Sequence, residues 1–143
     1  SLEVAGLYVY DGLEAGSRNQ SPVALGRIAA RDPRLAAAVR IMEGHVDEPL
    51  RVSEIARRVG VSRRSLEVSF ERLTGSAPGA FYLSLRLAAA RRLIVDTDIS
   101  IAEIAVRTGF SSVSALSRSF RRQFGQPPTA TRRDSVEASA RPT

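Results

Sequence analysis

The side chains that could carry chemistry in this sequence are its arginines. All 21 basic residues are Arg, and none is Lys. A guanidinium is a planar fork that binds phosphates and base edges through two hydrogen bonds at once, which an ammonium cannot do. Residues 1–50 carry five Arg and seven acidic residues, whereas residues 51–143 carry sixteen and eight. The positive charge therefore lies in the last two thirds of the chain, where it favours a polyanionic partner.

The chain lacks the side chains that catalysis and metal binding usually require. There is no Cys, and His45 is the only His. Thiolate metal sites, Cys nucleophiles, a Ser-His-Asp arrangement and a His-rich metal cluster are thereby excluded. No glycine motif for phosphate binding is present, no apolar stretch is long enough for a membrane span, and no secretory signal leads the chain. The sequence therefore predicts a cytoplasmic protein without enzyme activity, cofactor or metal.

One segment of the sequence occurs twice. Residues 52–62 return as residues 101–111, with Glu-Ile-Ala and a following Gly at matching places and an offset of 49. Beyond this segment the offset becomes 50, and six residues return: Leu66, Ser69, Phe70, Arg72, Gly75 and Pro78 match Leu116, Ser119, Phe120, Arg122, Gly125 and Pro128. Two copies are too few for a solenoid, so the pattern indicates a duplicated supersecondary unit.

Each copy is predicted to form two helices joined by a tight turn. In the first copy an apolar face at helical spacing ends at Gly60, and Ser62 caps the next helix. In the second copy Ser100 and Glu103 form a capping box, and Gly109 makes the turn. The second helix of that copy is capped by Ser111 or Ser112, and the residues predicted to be buried on the two second helices are Leu66, Phe70, Leu73, Leu116 and Phe120. A single pattern of this kind would be weak evidence, but its repetition indicates two helix-turn-helix units.

The remaining segments complete an all-α prediction with about seven helices. Asp32-Pro33 is a helix start, and Pro49 ends that helix after a stripe of Leu35, Val39, Met42 and Val46. Pro78 opens a long central helix that joins the two units, with Leu83, Leu87, Ala90 and Ile94 on its buried side. The predicted boundaries are a first helix-turn-helix over 52–75, a linker helix over 78–95 and a second helix-turn-helix over 100–125. They lie within one domain over 32–128, preceded by a connector over 1–31 that adds little stability and followed by a mostly flexible tail over 129–143.

A helix-turn-helix unit binds double-stranded DNA because its second helix fits the major groove and presents its N-terminal half to the base edges. The outward residues predicted to contact bases are Arg63, Arg64, Ser65, Ser112, Val113, Ser114, Ser117 and Arg118. The residues predicted to contact phosphates are Ser62, Arg72, Ser111, Arg121 and Arg122. Arg64 and Arg118 are the strongest base candidates of their units, and for Arg64 the expected contact is a bidentate pair with guanine.

The length of the linker helix fits two contacts with the same duplex. A helix over 78–95 would be roughly 27 Å long at ~1.5 Å per residue. Major-groove segments on one face of DNA lie ~34 Å apart. The sequence therefore predicts that the two recognition helices enter successive major grooves.

Residues 33–128 resemble the C-terminal DNA-binding domain of AraC/XylS-type bacterial transcription regulators. The matching residues in the first unit are Glu54-Ile-Ala, Gly60-Val-Ser62, Leu66, Phe70, Gly75 and Pro78. Those in the second unit are Ser100-Ile-Ala-Glu-Ile-Ala, Gly109-Phe-Ser111, Phe120, Gly125 and Pro127-Pro128. The linker string Phe81-Tyr82-Leu83-Ser84-Leu85-Arg86-Leu87 is most similar to the GlxA-like subgroup.

The resemblance implies more than the residues alone do. Members of the GlxA-like subgroup carry an amidase-like α/β domain before the DNA-binding domain, so residues 1–31 would be the end of that missing domain and its connector. An effector would bind the missing domain, and the full-length regulator would contact RNA polymerase. Three departures from the family pattern stand out. Arg51 replaces a frequent Ser or Thr cap, Ala77 replaces a common Ser, and Val68 replaces a frequent Arg. We therefore expect the second recognition helix to carry at least as much sequence information as the first.

Two alternatives stay open at this stage. A helical module that binds other proteins would use the same scaffold, with the arginines incidental to its function. Some DNA-repair methyltransferases also carry a similar domain, but they use reactive cysteines that this chain lacks. Binding to a duplex that weakens steeply with salt would favour the DNA-binding interpretation, because each neutralised phosphate releases counterions.

Overall fold

The computed structural model describes residues 30–140, and this part of the chain contains seven helices and no strand. The helices are α1 (Pro33–Gly44), α2 (Val52–Val59), α3 (Arg63–Thr74), α4 (Pro78–Asp96), α5 (Ile101–Arg107), α6 (Val113–Phe124) and α7 (Pro128–Ala140). The predicted all-α fold is thereby confirmed. None of these helices is both long enough and apolar enough to cross a membrane. The prediction for the connector over 1–31 falls almost entirely outside the described residues.

The chain divides into two compact units, and the division falls within α4, after Leu85. Among the described residues the first unit comprises 30–45 and 49–85, and the second comprises 46–48 and 86–140. The first unit therefore contains α1 to α3 and the start of α4. The second contains the rest of α4 and α5 to α7. Each unit holds one of the two predicted helix-turn-helix segments.

The core of the first unit is formed by apolar faces of α1 to α4. Its buried members are Leu35, Ala38, Val39, Met42, Ile55, Ala56, Leu66, Phe70, Phe81, Tyr82 and Leu85. The rings of Phe70 and Phe81 lie 5.3 Å apart between centroids and are tilted by 57°, which is a favourable arrangement for two aromatic side chains. The small Ala56 is 2% exposed, so α2 packs closely at this position.

The core of the second unit uses the equivalent residues of the repeat. Its buried side chains include Leu87, Ala90, Ile94, Ile104, Ala105, Leu116 and Phe120. Leu116 and Phe120 take the places that Leu66 and Phe70 hold in the first unit, and all four are at most 2% exposed. The residues that repeat in the sequence therefore also occupy equivalent buried positions in the two units.

Helix α4 buries more than the one stripe predicted for it. Leu87, Ala90 and Ile94 are buried as predicted, but Leu83 is only half-buried. Phe81, Tyr82 and Leu85 are buried in its place, at 3–4% exposure. The prediction assumed one continuous apolar side. The correction follows from the division of α4, because the residues up to Leu85 pack in the first unit and those from Arg86 pack in the second.

The ends of α1 follow from local hydrogen bonds. Asp32 caps the helix by accepting a hydrogen bond from the amide of Leu35 at 3.1 Å, and Pro33 occupies the first turn, as predicted. The helix ends at Gly44, before the predicted stop at Pro49, so Val46 lies outside it. His45 follows as the C-cap, with its Nδ1 2.9 Å from the carbonyl of Ile41. The single histidine is thus a helix-end residue.

Residues 128–140 form the last helix where a mostly flexible tail over 129–143 was predicted. Thr131 is buried, and Arg132 donates hydrogen bonds to the carbonyls of Ile94, at 3.1 Å, and Ile99, at 2.7 Å. Its Nη2 also lies 3.1 Å from the carbonyl of Thr97. The last carbonyls of a helix have no partner within that helix, so Arg132 supplies donors at the end of α4. This contact was invisible in the sequence because it joins residues more than thirty positions apart.

Candidate nucleic-acid interface

The first helix-turn-helix consists of α2, a three-residue turn and α3. Gly60 adopts a left-handed conformation at φ 81° and ends α2, and the amide of Val61 donates to the carbonyl of Ala56 at 3.0 Å. Residues with a Cβ rarely adopt this φ, which explains the Gly. Ser62 then caps α3 by accepting a hydrogen bond from the amide of Ser65 at 3.0 Å. The predicted turn and cap are both confirmed.

The second helix-turn-helix repeats this geometry with one additional residue between the glycine and the capping serine. Gly109 adopts φ 80°, and the amide of Phe110 donates to the carbonyl of Ala105 at 2.9 Å, which matches the bond at Ala56 in the first unit. Ser112 caps α6 by accepting from the amide of Ala115 at 3.0 Å. Two residues separate the glycine from the capping serine here, against one in the first unit. This additional residue explains why the repeat offset changes from 49 to 50.

The first helices of the two units begin differently. Arg51 stands at the N-cap of α2 and its side chain makes no capping hydrogen bond, as the sequence predicted. Ser100 caps α5 by accepting from the amide of Glu103 at 3.0 Å. The carboxylate of Glu103 is paired with Arg107 at 3.0 Å, so the structure shows one half of the predicted capping box.

The outward face of α3 carries charges of both signs. Arg63, Arg64 and Ser65 are exposed at its N-terminal end. The Nε of Arg63 donates to Glu67 at 3.2 Å, whereas Arg64 forms no hydrogen bond or ion pair within the described part of the chain. A shallow depression on this face is lined by Arg64, Glu67, Val68, Glu71 and Arg72. Glu67 thus neutralises Arg63, and Arg64 remains available for a ligand.

The outward face of α6 carries positive charge alone, since the helix contains no acidic residue. Arg118, Arg121 and Arg122 are exposed, and none of them has a hydrogen-bonding or ionic partner among the residues from 30 to 140. The predicted contacts at the N-terminal end are Ser111, Ser112, Val113 and Ser114, all exposed, and Ser117 one turn later is half-buried. The hydroxyl of Ser112 accepts the capping hydrogen bond, and its proton is still available for a ligand.

Two of the predicted phosphate contacts, Ser62 and Arg72, belong to the first unit. Ser62 is exposed, and its Oγ accepts the capping hydrogen bond of α3. A hydroxyl that accepts in this way still has a proton to donate. Arg72 is exposed, and its Nη2 lies 3.9 Å from Asp32, a distance too long for a hydrogen bond. Both residues can therefore reach an anionic ligand.

Ion pairs on α2 partly compensate its own arginines. Glu54 accepts hydrogen bonds from Arg57 Nη2 at 2.6 Å and from Arg58 Nε at 2.8 Å. The hydrogen bond from Arg57, followed by that from Arg58, lowers the pKa of Glu54 from 4.5 to about 2. Glu54 is therefore ionised at neutral pH, and less unpaired positive charge lies on α2 than on the outward face of α6.

Sequence reasoning missed one arginine that positions the second recognition helix. Arg86 of α4 donates from Nε to the carbonyl of Thr108 at 2.9 Å and from Nη2 to that of Gly109 at 2.8 Å. These carbonyls belong to the turn between α5 and α6. No sequence pattern could have indicated this contact, because backbone carbonyls are present at every residue and carry no residue identity.

The described residues include no group of His, Asp and Glu side chains that could hold a metal ion. The one marked pKa shift of an acidic group among residues 30–140, at Glu54, comes from a surface ion pair rather than from a buried cleft. The arrangement that stands out is therefore a pair of capped helices, α3 and α6, each with exposed arginines on the side opposite its buried residues.

Comparisons with known proteins agree with this geometry. A family model described as a helix-turn-helix domain matches residues 55–134. The HTH-type transcriptional regulators ArgR of Pseudomonas aeruginosa and GlxA of Rhizobium meliloti are each 36% identical over 132 residues, which is 92% of this chain. The same segment is 40% of ArgR and 41% of GlxA. The chain thus spans about two fifths of the length of these curated relatives.

Two solved structures share the fold. A transcriptional regulator of Chromobacterium violaceum, described as an AraC-type DNA-binding domain-containing protein, aligns with a TM-score of 0.72 and 40% identity. The alignment covers 80% of this chain and 99% of that chain. The DNA-binding domain of AdpA, a global transcriptional factor solved in complex with a target DNA, aligns with a TM-score of 0.71 and 37% identity. It covers 76% of this chain and 98% of the AdpA chain.

Proposed function

Because the chain belongs to the family of AraC-type helix-turn-helix domains, we propose that it binds double-stranded DNA sequence-specifically as the DNA-binding part of a bacterial transcription regulator. The observation that carries this proposal is the repeated unit, in which a capped second helix turns unpaired arginines outward. Arg64 on α3 and Arg118 on α6 hold these positions. The AdpA domain, which has the same fold and was solved with a target DNA, supports the proposal.

In this function α3 and α6 enter the major groove with their N-terminal halves towards the bases. The guanidinium of Arg118 pairs with O6 and N7 of a guanine, the most frequent specific contact of Arg with DNA. Arg64 serves the same purpose on α3. Arg63 must first exchange its ion pair with Glu67 for a base or a phosphate, so it contributes less to specificity.

Phosphates are bound by serines that precede these helices and by arginines in the last turns of the helices. Ser62 and Ser111 lie in or next to the turns, and the first amides of α3 and α6 favour an anion there. Arg121 and Arg122 lie towards the C-terminal end of α6, where they follow the DNA backbone rather than the bases. Together with Arg72 they hold the protein on the duplex regardless of its sequence.

Three finer statements belong to the same proposal. The two recognition helices occupy successive major grooves, for which the length of the linker helix is the support. An effector acts through a segment beyond this chain, because the curated relatives are more than twice as long. In the bacterial cytoplasm the complete regulator contacts RNA polymerase. The chain itself acts by binding and not by catalysis, in line with a family of DNA-binding domains.

Selection of duplexes from a random pool, followed by titration at several salt concentrations, tests the proposed function. We expect a defined site with two conserved segments one helical turn apart, and an affinity that falls steeply with salt. The variant in which both Arg64 and Arg118 are replaced by Ala should lose the preference for that site. Replacement of Arg40 and Arg92, two exposed arginines outside α3 and α6, serves as the control and should retain it.

One result would contradict this function. If the pool yields no enriched sequence and the residual binding is equal for every duplex, the chain does not recognise a DNA sequence. The scaffold would then serve the alternative, a helical module that binds other proteins. Measurement against single-stranded DNA of the same length completes the test, since a major-groove reader requires the duplex.

A further inference from the structure

The centre of the outward face of α3 is apolar. Val68 lies two residues from both Leu66 and Phe70, which are 2% and 0% exposed. At 3.6 residues per turn, a separation of two residues is about 200° around the helix. Val68 therefore points directly away from the core of its unit, and its side chain is 48% exposed. Its exposure and position show that packing within the unit does not account for the valine.

The duplication gives Val68 an equivalent in the other unit. Leu66 and Phe70 correspond to Leu116 and Phe120, all of them buried, so the residue at the position of Val68 on α6 is Arg118. The same position relative to the core thus carries an apolar side chain in one unit and a guanidinium in the other. The two units consequently present different chemistry to whatever they contact at this point.

Charged residues surround Val68 on its own helix. The depression on this face is lined by Arg64, Glu67, Val68, Glu71 and Arg72. Arg64 and Arg72 lie one turn before and one turn after Val68, and they attract an anionic partner to this side of the helix. The carboxylates of Glu67 and Glu71 repel phosphate, and a valine makes no hydrogen bond with one. The centre of the face is therefore suited to the edge of a base, with the phosphates held at its borders.

We infer that Val68 recognises the 5-methyl group of a thymine in the DNA segment bound by α3. This inference rests on the proposed function. The methyl of thymine is the apolar group that the major groove presents, and aliphatic side chains contact it. A guanine or cytosine at the same place would leave its hydrogen-bonding groups unpaired against the valine, which disfavours those bases. At the equivalent position of α6, Arg118 selects guanine instead.

The test uses the full chain and the duplex that it selects from a random pool. Each thymine of the selected site is replaced in turn by deoxyuridine, which keeps the base pair and removes only the methyl. We expect one replacement, in the segment bound by α3, to weaken binding about fourfold, the effect of losing one buried methyl-sized group. Val68→Ala should bind the thymine duplex more weakly by a similar factor. It should bind the thymine and deoxyuridine duplexes equally.

Two further variants sharpen the test. Val106 is an exposed valine on α5, 65% exposed, and Val106→Ala should retain the full response to deoxyuridine. Val68→Arg gives α3 the residue that α6 carries, and selection with it should replace thymine by guanine at that one position. Val68 and Val106 are both exposed. Val68→Ala, Val68→Arg and Val106→Ala should therefore show the circular dichroism spectrum and melting temperature of the unsubstituted protein.

The outcomes separate this inference from the proposed function. If the chain selects a defined site in which no thymine responds to deoxyuridine, Val68 does not recognise a methyl, while the proposed function stands. The same conclusion follows if Val68→Ala retains the response, because another residue then contacts the methyl. If no site is enriched at all, the proposed function fails, and the inference fails with it.

Discussion

The guanidinium of Arg86 lies over the ring of Phe110, with 4.3 Å between its Cζ and the ring centroid. The same group donates hydrogen bonds to the carbonyls of Thr108 and Gly109. One side chain of α4 thus contacts three consecutive residues of the turn between α5 and α6. The cation–π contact and the charged hydrogen bonds act on the segment that sets where α6 begins.

Replacing Arg86 by Lys should lower the free energy of unfolding by about 2 kcal/mol. An ammonium cannot form both hydrogen bonds with the geometry of the planar fork, and a hydrogen bond from a charged donor contributes about 1.5–3 kcal/mol. Chemical denaturation followed by circular dichroism measures the loss. Arg92→Lys, an exposed site on the same helix, is the matched control and should change stability by less than ~0.5 kcal/mol. Equal effects of the two substitutions would contradict the role assigned to Arg86.

Truncation of the phenylalanine at either of the two equivalent core positions should also lower the free energy of unfolding. Phe70 and Phe120 are each 0% exposed, so Phe→Ala at either position removes a large buried side chain and leaves a cavity. We expect a loss of about 3–5 kcal/mol in the free energy of unfolding for each. Val106→Ala on the exposed surface provides the comparison, with a change below ~0.5 kcal/mol. A loss under ~1 kcal/mol at either Phe would show that its position in the core is wrong.

The unequal caps of α2 and α5 predict opposite effects of two substitutions. Arg51 is an N-cap without a capping side chain, and its backbone at φ −69° and ψ 149° closely matches that of Ser100 at φ −65° and ψ 154°. Arg51→Ser should therefore stabilise the protein by about 1 kcal/mol, and Ser100→Ala should destabilise it by about as much. Thermal unfolding at two salt concentrations distinguishes a cap from the removal of a charge. If Arg51→Ser raises the melting temperature at low salt only, the loss of charge accounts for the gain.

The sequence was informative where the chain repeats itself. The two copies predicted both turns, and Gly60 and Gly109 have the positive φ that the pattern required. The cap at Ser62 was also predicted, because a cap depends on residues three positions apart. For the second unit the sequence left Ser111 and Ser112 open, and the structure shows Ser112 as the cap. Local signals of this kind were sufficient to predict the helices that carry the candidate DNA contacts. The comparisons confirm the resulting family.

The sequence was least informative where the structure depends on distant residues. Helix α4 is apolar on several sides between Phe81 and Ala90, so its spacing could not show which residues are buried. Arg132 binds carbonyls of residues 94–99, and nothing in its own neighbourhood indicated a helix anchored there. The ion pair of Glu67 with Arg63 rather than Arg64 also depends on side-chain geometry. The roles of the individual candidate site residues remain predictions, which binding measurements must decide.

The roles of two arginines on α6 should separate by their dependence on DNA sequence and salt. Arg118 lies two residues from both Leu116 and Phe120, which are buried, so it points away from the core of its unit, and Arg122 follows one turn later. The proposed roles are a base contact for Arg118 and a phosphate contact for Arg122. Arg118→Ala should lose ~1–3 kcal/mol of binding free energy on the selected site and little on a scrambled duplex. Arg122→Ala should weaken both duplexes equally and reduce the slope of log affinity against log salt by roughly one. Both variants are titrated against both duplexes at four salt concentrations. If Arg118→Ala lowers the two affinities by the same factor, Arg118 contacts phosphate and not a base.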